Sequence, residues 1–175
     1  YPVNPDGANS DADAPSIAAV NNRVVVGWED TRSGKSDIRV NSSSDGGKTW
    51  ATSTPRVDTG DQLGQNSSFA PKVSFGTDTK VFVSWQDMRF PTSAVLANMS
   101  LDNGLTWHTN SGIAYRMDVD TLPSTSGSAA ASVSQVPLVL TSTTTNQASV
   151  VWIDFRDATG QNGLNGDIWS RLISP

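Results

Sequence analysis

The chain contains no cysteine, one histidine and one glutamate among its 175 residues. Without cysteine there can be no disulfide framework, no thiolate metal site and no thiol nucleophile. The single His108 has no second histidine or carboxylate at a useful spacing, so it does not indicate a zinc site. Long apolar runs are also missing, and none approaches the roughly 18 residues that a membrane span needs.

Positive charge is scarce. Twelve Lys plus Arg stand against seventeen Asp plus Glu, which gives a formal net charge of −5 and a pI of about 4.6. Electrostatics therefore disfavours a nucleic acid or an anionic membrane surface as a partner. Charged residues make up 17% and hydrophobic residues 36% of the chain. Ser, Thr, Asn and Gly fill the difference, which favours a loop-rich, all-β protein over a helical bundle.

The same composition is common in secreted β proteins, and we therefore expect an extracellular or cell-surface location. The chain starts at Tyr1 with neither a charged n-region nor an apolar h-region. This start is typical of a processed mature chain or an excised piece.

One pattern occurs three times along the chain. Each copy is a β-branched run followed by Trp-x-Asp-x-Arg, and the copies contain Trp28, Trp85 and Trp152. These tryptophans are 57 and 67 residues apart, and the Ser/Thr-rich stretch between Ser124 and Asn146 absorbs the longer interval. Three ordered copies indicate three structural repeats.

The segments around each copy predict further strands. An Ala-Pro segment precedes the Trp strand and ends in a polar hairpin turn, and two more strands follow it. Four antiparallel strands in about 50 residues are typical of a β-propeller blade. The predicted flanking strands are 14–20, 37–43 and 56–58 in the first unit and 70–75, 94–100 and 115–119 in the second.

A second motif, Ser-x-Asp-x-Gly-x-x-Trp, occurs twice between the third and fourth predicted strands. A short Asp side chain can accept bonds from the amides of a tight turn, Gly supplies a positive φ, and Trp covers the turn. We therefore expect the motif to lock a hairpin. Its residues are Ser43, Asp45, Gly47 and Trp50 in the first copy and Ser100, Asp102, Gly104 and Trp107 in the second.

At these two motifs the chain resembles the bacterial neuraminidase repeat, also called the Asp box, of sialidase-like β-propellers. The resemblance implies an all-β propeller of four-stranded antiparallel blades, with about three blades in this chain, half of a six-bladed ring. It predicts one unit composed of an N-terminal strand and acidic linker at 1–13, blade 1 at 14–60, blade 2 at 67–121 and an incomplete blade 3 at 128–175.

Three blades do not close a ring, because propellers typically carry about four to eight. Residues 1–5 are interpreted as a displaced fourth strand. Two chains that exchange such strands would give six blades, the number in the resembled family, and would hide open sheet edges. The alternative is that the chain is one half of a longer propeller. A homodimer and the remainder of a longer chain are both open as partners.

The resemblance implies a catalytic set of which this chain has few members. A sialidase of that type needs an arginine triad, a tyrosine nucleophile assisted by a glutamate, and an acid or base aspartate. The only glutamate is Glu29, which is replaced by Gln86 and Ile153 in the other repeats. Glu29 and Tyr115 are the catalytic candidates, and for Glu29 an exposed strand position is the competing interpretation.

The repeated Asp/Arg pairs are candidates for ligand binding. Arg32, Arg89 and Arg156 would surround one mouth of the propeller and could bind carboxylates. However, a pair that recurs in every blade is more often a structural bridge in which each Asp holds an Arg. Trp169 has no tryptophan counterpart in the other repeats, so it is the tryptophan that we would test for stacking on a sugar.

We expect no cofactor, and calcium is the one alternative that the sequence offers. Asn9, Asp11 and Asp13 alternate as oxygen ligands do in calcium loops, although the bidentate Glu of an EF-hand loop is missing. An acidic linker is the favoured interpretation of this segment. Asn-x-Ser/Thr sequons at Asn41, Asn66 and Asn98 would permit glycosylation in a secretory host.

Three functions remain open at this point. The leading hypothesis is an extracellular, non-catalytic propeller that binds a glycan or a partner surface. The alternative is a half or fragment of a sialidase-like glycoside hydrolase, and the third option is a structural unit of a surface assembly. The fold cannot choose between them, because one propeller scaffold hosts binding and catalysis alike.

Overall fold

The structure is a computed structural model, and it describes residues 2–5, 11–107, 114–118, 134–142, 147–155 and 167–174. These residues form ten strands in three antiparallel sheets. None of the described segments is a helix that could cross a membrane.

The three sheets follow one another along the chain, and within each sheet the strands lie in chain order. The predicted all-β fold of repeated antiparallel blades is thereby confirmed. The strands are β1 (Ala12–Val20), β2 (Arg23–Asp30) and β3 (Asp37–Ser43) in the first sheet; β4 (Ser68–Phe75), β5 (Val81–Asp87), β6 (Ala94–Ser100) and β7 (Tyr115–Arg116) in the second; and β8 (Ser134–Thr141), β9 (Ala148–Asp154) and β10 (Asp167–Ile173) in the third.

The predicted fourth strands lie where expected but are short. In the first sheet the fourth strand is one bridge between Arg39 and Arg56, flanked by a bond of 2.9 Å from the Val57 amide to the Ile38 carbonyl. Pro55 has no amide hydrogen, so it can only accept a bond at this edge. In the second sheet the fourth strand is the two-residue β7.

The first strand of each sheet carries an irregularity at an x-Pro step. The register shifts between Asp13 and Ser16 in β1, between Phe69 and Lys72 in β4, and between Gln135 and Leu138 in β8. Ala14 and Ala70 adopt positive φ angles of 48° and 51° at these bulges. A bulge inserts one extra residue and bends the strand, which here happens at the same place in each repeat.

Two apolar clusters hold the three sheets together. The first lies between the first and second sheets and includes Val25, Ile38 and Trp85. The second lies between the second and third sheets and includes Phe82 and Trp152. Because side chains alternate between the two faces of a strand, neighbouring residues of β5 enter different clusters. The middle sheet is therefore packed on both faces, as an interior blade of a propeller is.

Candidate functional site

The Trp-x-Asp-x-Arg motif forms a closed hydrogen-bonded unit at the end of β2. The Trp28 indole donates to Asp30 Oδ2 at 3.0 Å. Nε and Nη2 of Arg32 each lie 2.7 Å from a carboxylate oxygen of Asp30. This bidentate arrangement is the strong form of an Arg–carboxylate pair.

The second copy repeats this geometry at the end of β5. The Trp85 indole donates to Asp87 at 3.0 Å, and Arg89 grips the same carboxylate with bonds of 2.8 and 2.7 Å. In the third copy Trp152 donates to Asp154 at 3.3 Å, while Arg156 lies outside the described residues.

These contacts form the structural bridge between Asp and Arg that is the alternative to ligand binding. Arg89 also donates to the carbonyls of Thr59 and Asp58 at 2.7 and 2.6 Å, which leaves it one spare N–H. The side chain of Arg32 is 16% exposed and that of Arg89 is 7% exposed. Binding of a ligand by these arginines stays a prediction, and their existing bonds argue for support of the strand ends.

The fourth strands contain a further repeated pattern, Arg-x-Asp, that was not recognised in the sequence. In the fourth strands Arg56 binds Asp58 at 2.7 Å and Arg116 binds Asp118 at 2.8 Å. The signal was present, since both fourth strands place an Arg two residues before an Asp. Arg56 also contacts Asp61 and lies 3.3 Å from Asp37, so one guanidinium joins three carboxylates.

Burial and hydrogen bonding act in opposite directions on the buried carboxylates. Burial raises the pKa of Asp30, but bonds from Arg32 and Trp28 outweigh it, and the net pKa is lowered. Burial also dominates at Asp37 and raises its pKa, against the Gly64 amide and nearby arginines, which favour the charged form. Asp37 therefore holds a proton more readily than an ordinary exposed aspartate does.

A cleft of about 530 Å³ opens beside this network. Asp61 lies in its wall, held by Arg56 on one side and by the Asn66 amide at 2.9 Å on the other. The Arg116 guanidinium lies 4.1 Å from the centre of the Phe90 ring, a cation–π contact that fixes the ring. The residues that line the cleft include Asp61, Gln62, Gln65, Asn66, Arg89 and Phe90.

The chemistry of this lining suits a polyhydroxylated ligand. Amide groups supply both donors and acceptors, a carboxylate supplies acceptors, and an aromatic ring supplies an apolar face. Gln62 and Gln65 are exposed at the rim. The volume is within the range of about 300 to 1,000 Å³ typical of small-ligand pockets.

Glu29, Tyr115 and Trp169 lie elsewhere in the fold. Glu29 accepts a bond of 2.8 Å from the Ala70 amide and so holds the bulge of β4 from the neighbouring sheet. Tyr115 and Trp169 are half-buried and pack against the second apolar cluster. None of the three lines the cleft.

The Ser-x-Asp-x-Gly-x-x-Trp hairpins have the predicted bonds. Ser43 donates to Asp45 at 2.8 Å, and the amide and hydroxyl of Thr49 donate to the same carboxylate at 2.9 and 2.6 Å. Gly47 has a φ of 86°. The side-chain bond from Thr49 is the main cause that lowers the pKa of Asp45 to about 2.

The second hairpin has the same bonds. Ser100 donates to Asp102 at 2.7 Å, and Thr106 donates through its amide and hydroxyl at 2.8 and 2.6 Å. Burial raises the pKa of Asp102, but these bonds outweigh it and the net pKa is lowered. Trp107 donates to the Gly104 carbonyl at 3.1 Å and packs against the first cluster.

The candidate calcium loop is described only in part, because Asn9 lies outside the described residues. Asp13 accepts a bond of 2.7 Å from the Ala14 amide, and the Asp11 amide donates to Thr31 at 3.3 Å. Within the described ranges no group of three or more His, Asp or Glu side chains could hold a metal ion. Calcium binding by this loop stays a prediction.

Two of the three sequons are structural. Asn41 and Asn98 are 1% and 0% exposed, and each side-chain amide donates to a backbone carbonyl. These amides are unavailable to a transferase in the folded chain. Asn66 is half-buried and bonded to Asp61.

No protein-family model matches this chain, and no curated protein sequence matches it. Several solved structures share its fold. An α-L-arabinanase from Penicillium chrysogenum matches with a TM-score of 0.59 at 17% identity, over 92% of this chain and 46% of its own. An α-L-arabinofuranosidase from Fusarium graminearum matches with a TM-score of 0.56 at 17% identity, over 94% of this chain and 46% of its own. A Hadza microbial sialidase, Hz136, matches with a TM-score of 0.57 at 12% identity, over 94% and 38%.

The fold follows from these similarities. The chain is a β-propeller unit of the kind found in glycoside hydrolases. It spans less than half the length of the three structures just named.

Proposed function

We propose that this chain is a glycan-binding, sialidase-like β-propeller unit that acts outside the cell. Its sugar site is the cleft bounded by Asp61, Gln62, Gln65 and Phe90. The observation that carries this proposal is the lining itself, in which exposed amides, a fixed carboxylate and an aromatic ring meet in one cleft.

The two hairpins support the sialidase-like part of the proposal. In both hairpins a turn amide donates to the motif aspartate and the glycine has a positive φ, as expected of Asp boxes, and the two copies are 57 residues apart. The structures of similar fold named above are an α-L-arabinanase, an α-L-arabinofuranosidase and a sialidase. A sugar is therefore the first ligand class to test.

The cleft favours binding over hydrolysis. Glycoside hydrolysis commonly uses two carboxyl groups, about 5 to 5.5 Å or 6.5 to 9.5 Å apart, on either side of the bond. Among the described residues that line the cleft, Asp61 is the sole carboxylate, and Arg56 and Asn66 already occupy it. This supports a non-catalytic role.

A fragment of a glycoside hydrolase is the second candidate. Its support is that the chain covers 46% of a hydrolase of known fold and carries the same architecture. In that case the second carboxyl group would come from a part of a longer propeller.

The test is a nuclear magnetic resonance titration of the chain with arabino-oligosaccharides and with sialyl-oligosaccharides, which measures their binding. We expect shifts in the amides of Gln62 and Gln65, and at least a tenfold loss of affinity in the double variant Gln62→Ala/Gln65→Ala. Phe90→Leu keeps apolar packing but removes the ring face, and should also weaken binding.

The matched control is Gln147→Ala, because Gln147 is a glutamine of the third sheet's hairpin that does not line the cleft. Binding that responds equally to Gln147→Ala, or no binding to any sugar of a broad glycan panel, would contradict the proposal. Release of free sugar during the titration would favour the hydrolase fragment instead.

A further inference from the structure

Residues 2–5 lie against the first sheet in the position of a fourth strand from a preceding sheet. The side-chain amide of Asn41 in β3 donates to the Val3 carbonyl at 2.6 Å. One repeat later, Asn98 in β6 donates to the Val57 carbonyl at 2.9 Å. Val57 belongs to the fourth strand of the first sheet. Val3 therefore occupies the same position relative to the first sheet that Val57 occupies relative to the second sheet.

The hairpins show the same equivalence independently. Gly104 and Leu105 of the second hairpin share a small cavity with Pro55, two residues before Val57. Trp50 of the first hairpin shares a cavity with Pro2 and Pro5. Within the described ranges, no strand pairs through its backbone with residues 2–5.

At the other end of the unit, none of the described residues occupies the fourth-strand position beside β10. In the described part of the third sheet, β10 is an edge strand, on the side where the first two sheets carry their fourth strands. Ile168 of β10 corresponds to Ile38 and Val95, whose carbonyls accept bonds of 2.9 Å from Val57 and 2.8 Å from Met117. Position 168 is therefore where a fourth strand would attach.

The free sheet faces at the two ends are apolar. The third sheet exposes Leu138, Leu140, Ile168 and Leu172, and Ile168 is 71% exposed. The corresponding faces of the first two sheets are buried under the next sheet. At the opposite end Ile17 is 68% exposed, on the face that packs against a preceding sheet in the other two repeats. The unit thus exposes both halves of a contact that it already makes twice internally.

We infer that a second copy of this chain completes both ends. Residues 2–5 of one copy pair with β10 of the other, and the outer face of the third sheet packs on the free face of the first sheet. A two-fold axis makes both contacts at once, and three plus three blades give a ring within the usual range. The pairing also covers the edge of β10. This inference does not depend on the cleft or its ligand.

The repeat register gives a sharp test, because it places Val3 opposite Ile168 of the other copy. Opposed residues of antiparallel strands have Cα atoms about 4.5 to 5.5 Å apart, within reach of a disulfide. The chain has no cysteine of its own. Differently tagged Val3→Cys and Ile168→Cys chains, mixed and mildly oxidised, should form a reducible mixed dimer.

The control mixture is Val3→Cys with Leu172→Cys. Leu172 lies on the same face and strand, but four residues further on, about 13 Å away, so little cross-linking is expected. Equal cross-linking of the two mixtures would overturn the inference, and so would no cross-link in either.

Light scattering of the unmodified chain keeps the inference testable if a cysteine variant does not fold. We expect a mass of twice 18.5 kDa that is stable on dilution. A monomer at every concentration would overturn the inference.

Discussion

Asp87 accepts hydrogen bonds from three side chains and one backbone amide although it is completely buried. Trp85, Arg89 and Ser68 supply the side-chain donors, and Arg89 supplies the amide. A buried charge is costly unless such bonds compensate it. The Trp, Asp and Arg of the repeated motif therefore depend on one another. This explains why the number of residues between them is the same in every copy.

We expect Trp85→Phe to destabilise the chain by about 1.5 to 3 kcal/mol, because Asp87 loses a donor to a charged group in the core. Urea unfolding followed by fluorescence or circular dichroism measures this loss. The control is Trp50→Phe, since Trp50 is half-buried and its indole makes no hydrogen bond to a described residue. Equal losses for the two variants would contradict the role of the indole bond.

Asp102→Ala should cost about 1 to 3 kcal/mol of unfolding free energy, because the Thr106 amide and two hydroxyl groups lose their acceptor. Asp45→Ala should act in the same direction at the first hairpin. Thermal unfolding of each variant measures the effect, with Asp167→Ala at the exposed start of β10 as the control. Unchanged midpoints for both hairpin variants would show that these aspartates do not lock the turns.

At the scale of elements, short fourth strands are held partly by side chains. The edge strand at Val57 has few backbone bonds, and Asn98 of the neighbouring sheet supplies another. A buried asparagine therefore stands in for part of a strand ladder and joins successive sheets.

Asn98→Ala should lower the unfolding free energy by about 1 to 3 kcal/mol, because the Val57 carbonyl loses its donor in a buried place. Hydrogen exchange should show faster exchange of the Val57 amide than in the parent chain. Asn22→Ala, at an exposed position in the turn between β1 and β2, is the control and should leave that amide unchanged. Protection at Val57 that survives Asn98→Ala would contradict this account.

The Ala-Pro bulges connect neighbouring elements. Glu29 holds the Ala70 amide, so a residue that looked like a catalytic candidate supports the backbone of the next sheet. A catalytic role for Glu29 stays a prediction. Its position shows how a strand residue facing an adjacent sheet can be recruited to satisfy a bulged backbone.

For the whole molecule, the carboxyl groups predict acid sensitivity. The pKa of Asp45 is about 2 and those of Asp30 and Asp102 are lowered, whereas that of Asp37 is raised. A lowered pKa gives stability that is present above the unfolded value of about 4 and is lost on acidification. Asp37 acts oppositely, but it is one group against three.

We therefore expect the unfolding free energy to fall as the pH drops from about 4 to about 2. Urea unfolding at several pH values in this window measures it. In Asp45→Asn the decline should be smaller, because that variant lacks one of the three carboxyl groups whose pKa is lowered. A constant stability across the window would contradict the assignment of these hydrogen-bonded carboxylates.

The amino-acid sequence by itself determined the repeating part of the protein. The Trp-x-Asp-x-Arg copies, the Ala-Pro segments and the hairpin motifs are local patterns, and they predicted the strands at 37–43 and 94–100 with their observed bounds. Such patterns are readable because strand alternation and tight turns depend on residues close together in the chain. The first strand of the third unit was not located in advance, since Pro137 was its main signal within a Ser/Thr-rich stretch.

Only the tertiary structure decided the cleft. Asp61 and Phe90 are far apart in sequence, do not recur in the repeats, and meet because successive sheets pack against each other. The sequence had already predicted a displaced fourth strand at residues 1–5, and the tertiary structure adds the bond from Asn41 to the Val3 carbonyl. Contacts between sheets depend on how whole faces pack, and a single segment of sequence carries no record of the face that it will meet.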